Sequence, residues 1–362
     1  MSHDPFLARL KARAAESTAA AEPGERQQPA ESPKRAESRQ PSERPRRAPR
    51  AGRGGGATAS YSDRRAVAFW QSEIAHAHIR RRISGDEDLA PTRFFAGLLP
   101  DGMRGGSAVV LRGGAPDLAV ELLRDGACAR VTIVDDSPER LDYARPRIPE
   151  DLRGRVRLAQ ADPLGFEPAE PPTVVASASA LHRFADPDAA VGRIAEWLAP
   201  DGLVYVDEFV GPDRFQWTDR QLEILNRLLA CLPEELRRDL STRDAVKEEI
   251  GRPDPERFKR DHPSEAVASS RIRDALDAHL EPVAVRPYGG AVFHQLFARI
   301  MGNFARRPEL VRLVLEFDAI LTDLGAVESD YLWAAYRKPG ASGGAPPTGR
   351  EAAGRRPGAT RR

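Results

Sequence analysis

From Ser107 onward the chain alternates short, continuous apolar runs with stretches in which apolar residues recur every three or four positions. Ser107-Ala-Val-Val-Leu111 and Arg130-Val-Thr-Ile-Val-Asp135 read as buried strands, with helices predicted over 117–124 and 138–145. Further strands are predicted over 155–159, 173–177 and 202–208, with a helix over 188–198 before the last of them. Strands that are apolar along their whole length are buried on both faces, so the alternation predicts a parallel, doubly wound α/β sheet with right-handed crossovers. Upstream, Val67, Phe69, Trp70, Ile74, Ala77, His78 and Ile83 recur at mostly helical spacing and predict an amphipathic cover helix. Downstream, 219–280 reads as a mostly helical insertion whose strongest amphipathic segment carries Leu222, Ile224, Leu225, Leu228 and Leu229. Two more strands, over 282–286 and 331–336, flank a helical region at 293–324. There is no internal repeat, and one Rossmann-like domain over 61–338 accounts for these elements.

Composition separates that domain from its ends. Residues 14–60 are Ala, Glu, Pro, Arg, Ser and Gly with almost no aliphatic side chains, and 339–362 are similar. Such segments bury too little apolar surface to offset their chain entropy, so 1–60 and 339–362 are expected to be disordered tails. Both are basic, at +5 and +4, against a whole-chain charge of +1, which leaves −8 on the middle. An acidic globular part argues against specific nucleic-acid binding, which places a basic surface on the folded domain. No run approaches the ~20 apolar residues of a membrane span, and residues 1–13 lack the apolar run of a signal peptide. The two cysteines, Cys128 and Cys231, form no disulfide framework or zinc spacing, and the expected setting is a reducing cytoplasm without structural metal.

Ligands of a doubly wound sheet bind beyond the carboxyl ends of its strands, so the candidate chemistry is sought there. After the first strand comes Arg112-Gly113-Gly114-Ala115-Pro116, a glycine-rich turn that lets backbone amides approach an anionic group. Asp135 closes the second strand about two dozen residues later, placed either to accept hydrogen bonds from ribose hydroxyls or to cap the turn before Pro138. Asp162 follows the third strand and faces the same choice between a nucleobase and a turn. Ser177-Ala-Ser-Ala-Leu-His182 ends the fourth strand with small residues and a histidine that is a general-base candidate or a structural side chain. Glu208, at the end of Leu203-Val-Tyr-Val-Asp-Glu208, competes for the same role or caps its loop.

Taken in order, Val131-Thr-Ile-Val-Asp-Asp-Ser-Pro-Glu-Arg-Leu141, Asp162, Ala180-Leu-His182 and Leu198-Ala-Pro-Asp-Gly-Leu203 resemble the motifs of class I S-adenosylmethionine-dependent methyltransferases. Asp207-Glu-Phe-Val-Gly-Pro-Asp-Arg-Phe-Gln-Trp-Thr-Asp219, Pro263-Ser-Glu-Ala-Val267 and Arg286-Pro-Tyr-Gly-Gly290 resemble more narrowly a bacterial subgroup found alongside glycosyltransferases. The resemblance implies a seven-stranded sheet in the order 3-2-1-4-5-7-6 and S-adenosylmethionine as cofactor, held by Arg112, Gly113, Gly114, Asp135 and Asp162. It also implies a small-molecule or glycan acceptor, a sugar hydroxyl first, lined by Gln216 and Trp217, with His182 or Glu208 taking its proton. The departure is the cofactor loop, where the family's Gly-x-Gly-x-Gly reads Arg112, Gly114 and Pro116 at the three glycine positions. That departure keeps a second expectation open: a non-catalytic relative that retains the fold as a binding or scaffold module for a protein partner.

Overall fold

The computed structural model describes residues 68–112, 116–242 and 245–340. The expected tails, Val67, and Gly113 and Gly114 of the cofactor loop lie outside the described residues. Seven strands, β1 (Ser107–Leu111), β2 (Arg130–Asp135), β3 (Val156–Gln160), β4 (Val174–Ala178), β5 (Leu203–Phe209), β6 (Glu281–Gly289) and β7 (Tyr331–Arg337), form one sheet in the order 3-2-1-4-5-7-6. β3, β2, β1, β4 and β5 run parallel, and β7 is antiparallel to both β5 and β6. This is the order that the motifs implied.

Each central strand feeds two cores, because side chains alternate across the pleat. Ala108, Val110, Val131, Ile133, Val174, Ala176 and Tyr205 face one core, packed by α2 (Pro91–Leu98) and α3 (Asp117–Arg124). Val109, Leu111, Val134, Val175, Val204 and Val206 face the other, packed by α5 (Pro187–Trp197) and α9 (Ile272–His279). Between these elements α4 (Pro138–Ala144) starts at Ser137, whose hydroxyl accepts from the Arg140 amide at 3.2 Å. Proline at the first helical position of α2, α4 and α5 gives up only an amide without an intrahelical partner.

A third core lies under the helical cover. It joins α1 (Glu73–Ser84), α6 (Asp219–Cys231), α10 (Phe293–Phe297) and α11 (Pro308–Asp323) through Ala75, Leu225, Leu229, Phe293, Phe297, Val311 and Leu315. The upstream helix is shorter than its apolar spacing predicts. A single 3-10 turn, Phe69–Gln71, precedes Ser72, whose hydroxyl accepts from the Ala75 amide and starts α1. The insertion is less helical than expected. It holds α6, the short α7 (Glu234–Arg237) and α8 (Pro255–Asp261), then α9, with non-helical chain over 245–254. Pro253 and Pro255 punctuate that stretch.

One close approach fixes where β5 enters the sheet. A Cβ on Gly202 would lie 2.8 Å from the Thr173 carbonyl oxygen and 2.9 Å from Leu198 Cδ1. Gly202→Ala is therefore expected to cost about 1–3 kcal/mol through overpacking, read as a lower midpoint in chemical denaturation with an unchanged m-value.

Candidate functional site

The carboxyl ends of β1, β2, β4 and β5 bring most of the expected residues to one edge of the sheet. Arg112 leaves β1 in the left-handed region, at φ +48°, with its amide donating to the Val134 carbonyl at 2.7 Å. Its guanidinium carbon lies 4.8 Å from the Phe184 ring centroid and its Nη2 is 3.5 Å from Asp136 Oδ2. Its Nε is buried without a hydrogen-bond partner. Asp135 has no accessible surface. Its carboxylate accepts from the Ser137 amide at 2.9 Å and from Arg140 Nε, 2.9 Å from both oxygens, while Arg140 Nη2 also reaches Asp135 and Asp136. Asp162 is exposed, and its Oδ1 accepts from the Leu164 amide at 3.4 Å in a turn.

These residue types suit an adenosyl ligand. A carboxylate ends β2, another follows β3, and the guanidinium of Arg112, with one donor unused, matches a carboxylate group. One contact stands in the way. Arg140 Nε lies 2.9 Å from both Asp135 oxygens, the positions at which the motifs place ribose hydroxyls.

His182 and Glu208 do meet, but as a closed pair. Glu208 is fully buried and accepts from Ser177 Oγ at 2.6 Å, the amides of Ala180 and Leu181 at 2.7 and 2.8 Å, and His182 Nδ1 at 3.0 Å. Burial pushes the Glu208 carboxyl up, yet these donors, His182 first, outweigh it and hold the group below its ordinary range. The far side of the imidazole faces a second carboxylate, with Nε2 3.3 Å from Glu265 Oε1 in an ion-pair contact off the hydrogen-bond direction. Burial lowers the His182 pKa, but Glu208 and Glu265 more than reverse this and raise it to about 9. A protonated imidazole between two carboxylates has no lone pair to offer, so the arrangement positions backbone rather than moving a proton.

Glu265 is held where it is by the Gly211 to Trp217 run. Arg214, at φ +53°, donates its amide to Ala266 O at 2.6 Å. Its Nη1 reaches the carbonyls of His262, Pro263 and Glu265 at 3.1, 2.9 and 3.1 Å. Ser269 Oγ donates to Gly211 O at 2.9 Å, and the Ser270 amide to Asp213 Oδ1 at 2.9 Å. Gln216 spends its amide nitrogen on the carbonyls of Arg214 and Pro253, at 3.3 and 3.0 Å. Trp217 is buried and stacks on Phe215 at 5.3 Å and 14°.

Trp217 belongs to an aromatic cluster that sequence reasoning missed. Six rings surround His294, with centroids at 5.5 Å for Tyr331, 5.8 Å for Trp217 and Phe69, 5.9 Å for Phe215, 6.1 Å for Phe209 and 6.4 Å for Trp70. His294 Nδ1 lies 3.3 Å from the Tyr331 hydroxyl. Tyr331 stacks on Tyr288 at 5.4 Å and 15°, and the Tyr288 hydroxyl donates to Asp207 Oδ1 at 2.8 Å. Asp207, Phe215, His294 and Tyr331 all remain half-buried rather than sealed. Burial lifts the Asp207 pKa to about 6, while burial and the positive charge of Lys247 press that of His294 down to about 4. Gly290, at φ +100°, admits this packing, since a Cβ there would meet Tyr331 Cδ2 at 2.3 Å.

The only signal for these residues in the sequence was local. Asp207 precedes Glu208 on β5 and therefore points to the opposite face, and Tyr288 sits in Arg286-Pro-Tyr-Gly-Gly290. Nothing local joins them to His294 or Tyr331.

The His182–Glu208–Glu265 contacts make stability depend on pH. His182 is raised from 6.5 to about 9, so its contribution is complete below pH 6.5 and is lost as pH rises toward 9. His182→Gln should remove about 2–3 kcal/mol at pH 6 and flatten the fall in stability between pH 6.5 and 9, measured by urea denaturation across that range.

Residues 113–206 match the family model described as a methyltransferase domain. No curated protein sequence matches the chain. Among solved structures, the [4+2]-cyclase SpnF aligns at 16% identity and TM-score 0.41, covering 68% of this chain and 79% of its own. The N-methyltransferase NodS from Bradyrhizobium japonicum WM9 aligns at 13% identity and TM-score 0.35, covering 68% and 94%. A geranyl diphosphate methyltransferase in complex with SAM aligns at 14% and 0.39, covering 68% and 84%. The chain thus combines the strand order 3-2-1-4-5-7-6 implied by its motifs with a methyltransferase-domain match over residues 113–206, a stretch that runs from the turn after β1 into β5.

Proposed function

We propose that the chain transfers a methyl group from S-adenosylmethionine to a hydroxyl of a small molecule or glycan, a sugar first, docked against the aromatic cluster around His294. The observation that carries this reading is the aromatic cluster at the carboxyl end of β5 and beside β7, in which half-buried Asp207, His294 and Tyr331 set polar groups among aromatic rings. Aromatic faces such as Tyr331 and Phe215 suit the apolar face of a sugar ring, while Asp207 and His294 suit its hydroxyls. When bound, the cofactor supplies the electrophilic methyl group. Arg112 pairs with its carboxylate end, and Asp135 and Asp162 take its nucleoside.

At this cluster the chain's own work is orientation and proton handling. Asp207, with its pKa near 6 and the Tyr288 hydroxyl on one oxygen, is deprotonated at neutral pH and accepts the acceptor's proton. His294, neutral at that pH, accepts or donates a hydrogen bond without charge. His182 and Glu208 hold the loop after β4 in place, and Gln216 holds the backbone that carries Trp217.

One observation favours a second reading, a non-catalytic binding module that works with a protein partner. Arg140 already satisfies Asp135, so the nucleoside side is closed by the chain itself. Calorimetric titration of the full chain and of Arg140→Ala with S-adenosylmethionine and S-adenosylhomocysteine separates the two. Binding near micromolar, about −8 kcal/mol, by the wild-type chain supports methyl transfer. Binding by Arg140→Ala alone makes that arginine a gate, and no binding by either supports the non-catalytic module.

With cofactor binding established and a methylated sugar acceptor in hand, Asp207→Asn should lower kcat at least ~100-fold while leaving cofactor affinity within about twofold. In the wild-type enzyme kcat should rise with pH through about 6, the range in which Asp207 ionises. A flat profile, or an Asp207→Asn variant with unchanged kcat, would show that another group takes the proton.

A further inference from the structure

Among the described residues five large hydrophobic side chains are exposed, and three of them belong to α11 or its immediate end: Leu313 at 64%, Ile320 at 52% and Leu324 at 77%. Steps of seven and four residues, at about 100° each, return to within about 40° of one line along the helix. Half-buried Phe317 falls on the same line. The opposite face of the helix is already used, since Val311, Val314, Leu315 and Ala319 are buried. Beside the stripe, the acidic residues are neutralised from α1, with Arg82 Nη2 2.6 Å from Asp323 Oδ1 and Arg81 bonded to Glu316. The stripe is thus a continuous apolar line rather than a single exposed leucine, which is the pattern that marks an interaction surface.

Charge at the two ends of the helix points to the partner. Arg306 and Arg307 lie just ahead of the helix, and Glu328 lies just beyond it. Arg306 and Glu328 are exposed and have no ion-pair partner among the described residues. A surface that is basic at one end, apolar in the middle and acidic at the other is complementary to itself when inverted. We propose that a second copy of the chain docks here, α11 against α11, antiparallel about a twofold axis near Phe317 and Ile320. Leu313 of each copy then approaches Leu324 of the other, Arg306 approaches Glu328 at both ends, and the two helix dipoles oppose. The interface lies on the helical cover and leaves the β1 and β2 strand ends untouched.

Sedimentation velocity on the full chain, up to about 100 µM, tests this. The wild-type chain is expected to dimerise, and Leu313→Glu with Ile320→Glu to be monomeric with unchanged far-UV circular dichroism and the Tm of the wild-type chain diluted below its dissociation constant. Arg306→Glu alone should raise the dimer dissociation constant about tenfold, and adding Glu328→Arg should restore it. If the double glutamate variant unfolds, the charge-reversal pair still decides. A wild-type chain that stays monomeric throughout, as it would if a different protein covered the stripe, overturns the proposal. So does a dimer that neither set of substitutions affects.

Discussion

A carboxylate with no contact to water sits at the end of β5, and the loops around the site take their positions from it. Removing Glu208 from solvent is costly unless every lone pair finds a donor. Here the donors are Ser177 at the end of β4, two backbone amides of the turn after it, and the His182 ring. The positive charge thus stabilised on His182 draws in Glu265 from a segment far along the chain, beyond β5 and α6, and Arg183 pairs with the same carboxylate. Arg214 then clamps the carbonyls before Ala266, and the run that carries Trp217 is fixed in turn. Small residues after β4 are needed because the turn folds tightly onto a buried acid: Ser179 adopts φ +52° within it.

The neighbouring residue has the opposite fate because a strand turns its side chains over at each step. Asp207 points away from this network, toward Tyr205 and Tyr288, and has a single hydroxyl donor where Glu208 has several. Burial with few donors lifts a carboxyl pKa, and burial with many lowers it. Two adjacent acids are thereby pushed apart, one held as a structural anion and the other left able to exchange a proton near neutral pH.

The same distinction explains what the sequence could reveal. The parallel strands were legible because Val and Leu follow Ala without interruption from Ala108 to Leu111, and Val, Ile and Val with a single Thr132 between them fill 131–134, a pattern that a two-sided core requires. Strand ends then follow, and with them the positions of Arg112, Asp135, His182 and Glu208. Partner identity was not legible, because it is set by long-range contacts. Glu265 reaches His182, Tyr288 reaches Asp207 and Tyr331 reaches His294, with no periodicity linking one to the next. Arg140 was hidden for a different reason: it reads as an ordinary helix residue of α4, and only the turn at Ser137 swings its guanidinium back onto Asp135.

The two sides of the site are not independent. Arg112 rests on the ring of Phe184, and Phe184 lies two residues after His182 in the turn that Glu208 organises. The aromatic floor beneath the guanidinium is therefore fixed by the buried acid at β5, and the left-handed backbone at Arg112 is held partly by that contact and by Asp136. Arg112 and Arg140 share Asp136, so moving Arg140 away from Asp135 changes the field felt by Arg112. A ligand with its own carboxylate could take over that partnership, since the Nε of Arg112 is a buried donor still without an acceptor. The chain's departure from a glycine at this position then has a physical logic. Removing the arginine would relieve backbone strain, but it would also take away a buried cation that, among the described residues, has a donor to spare at the end of β1.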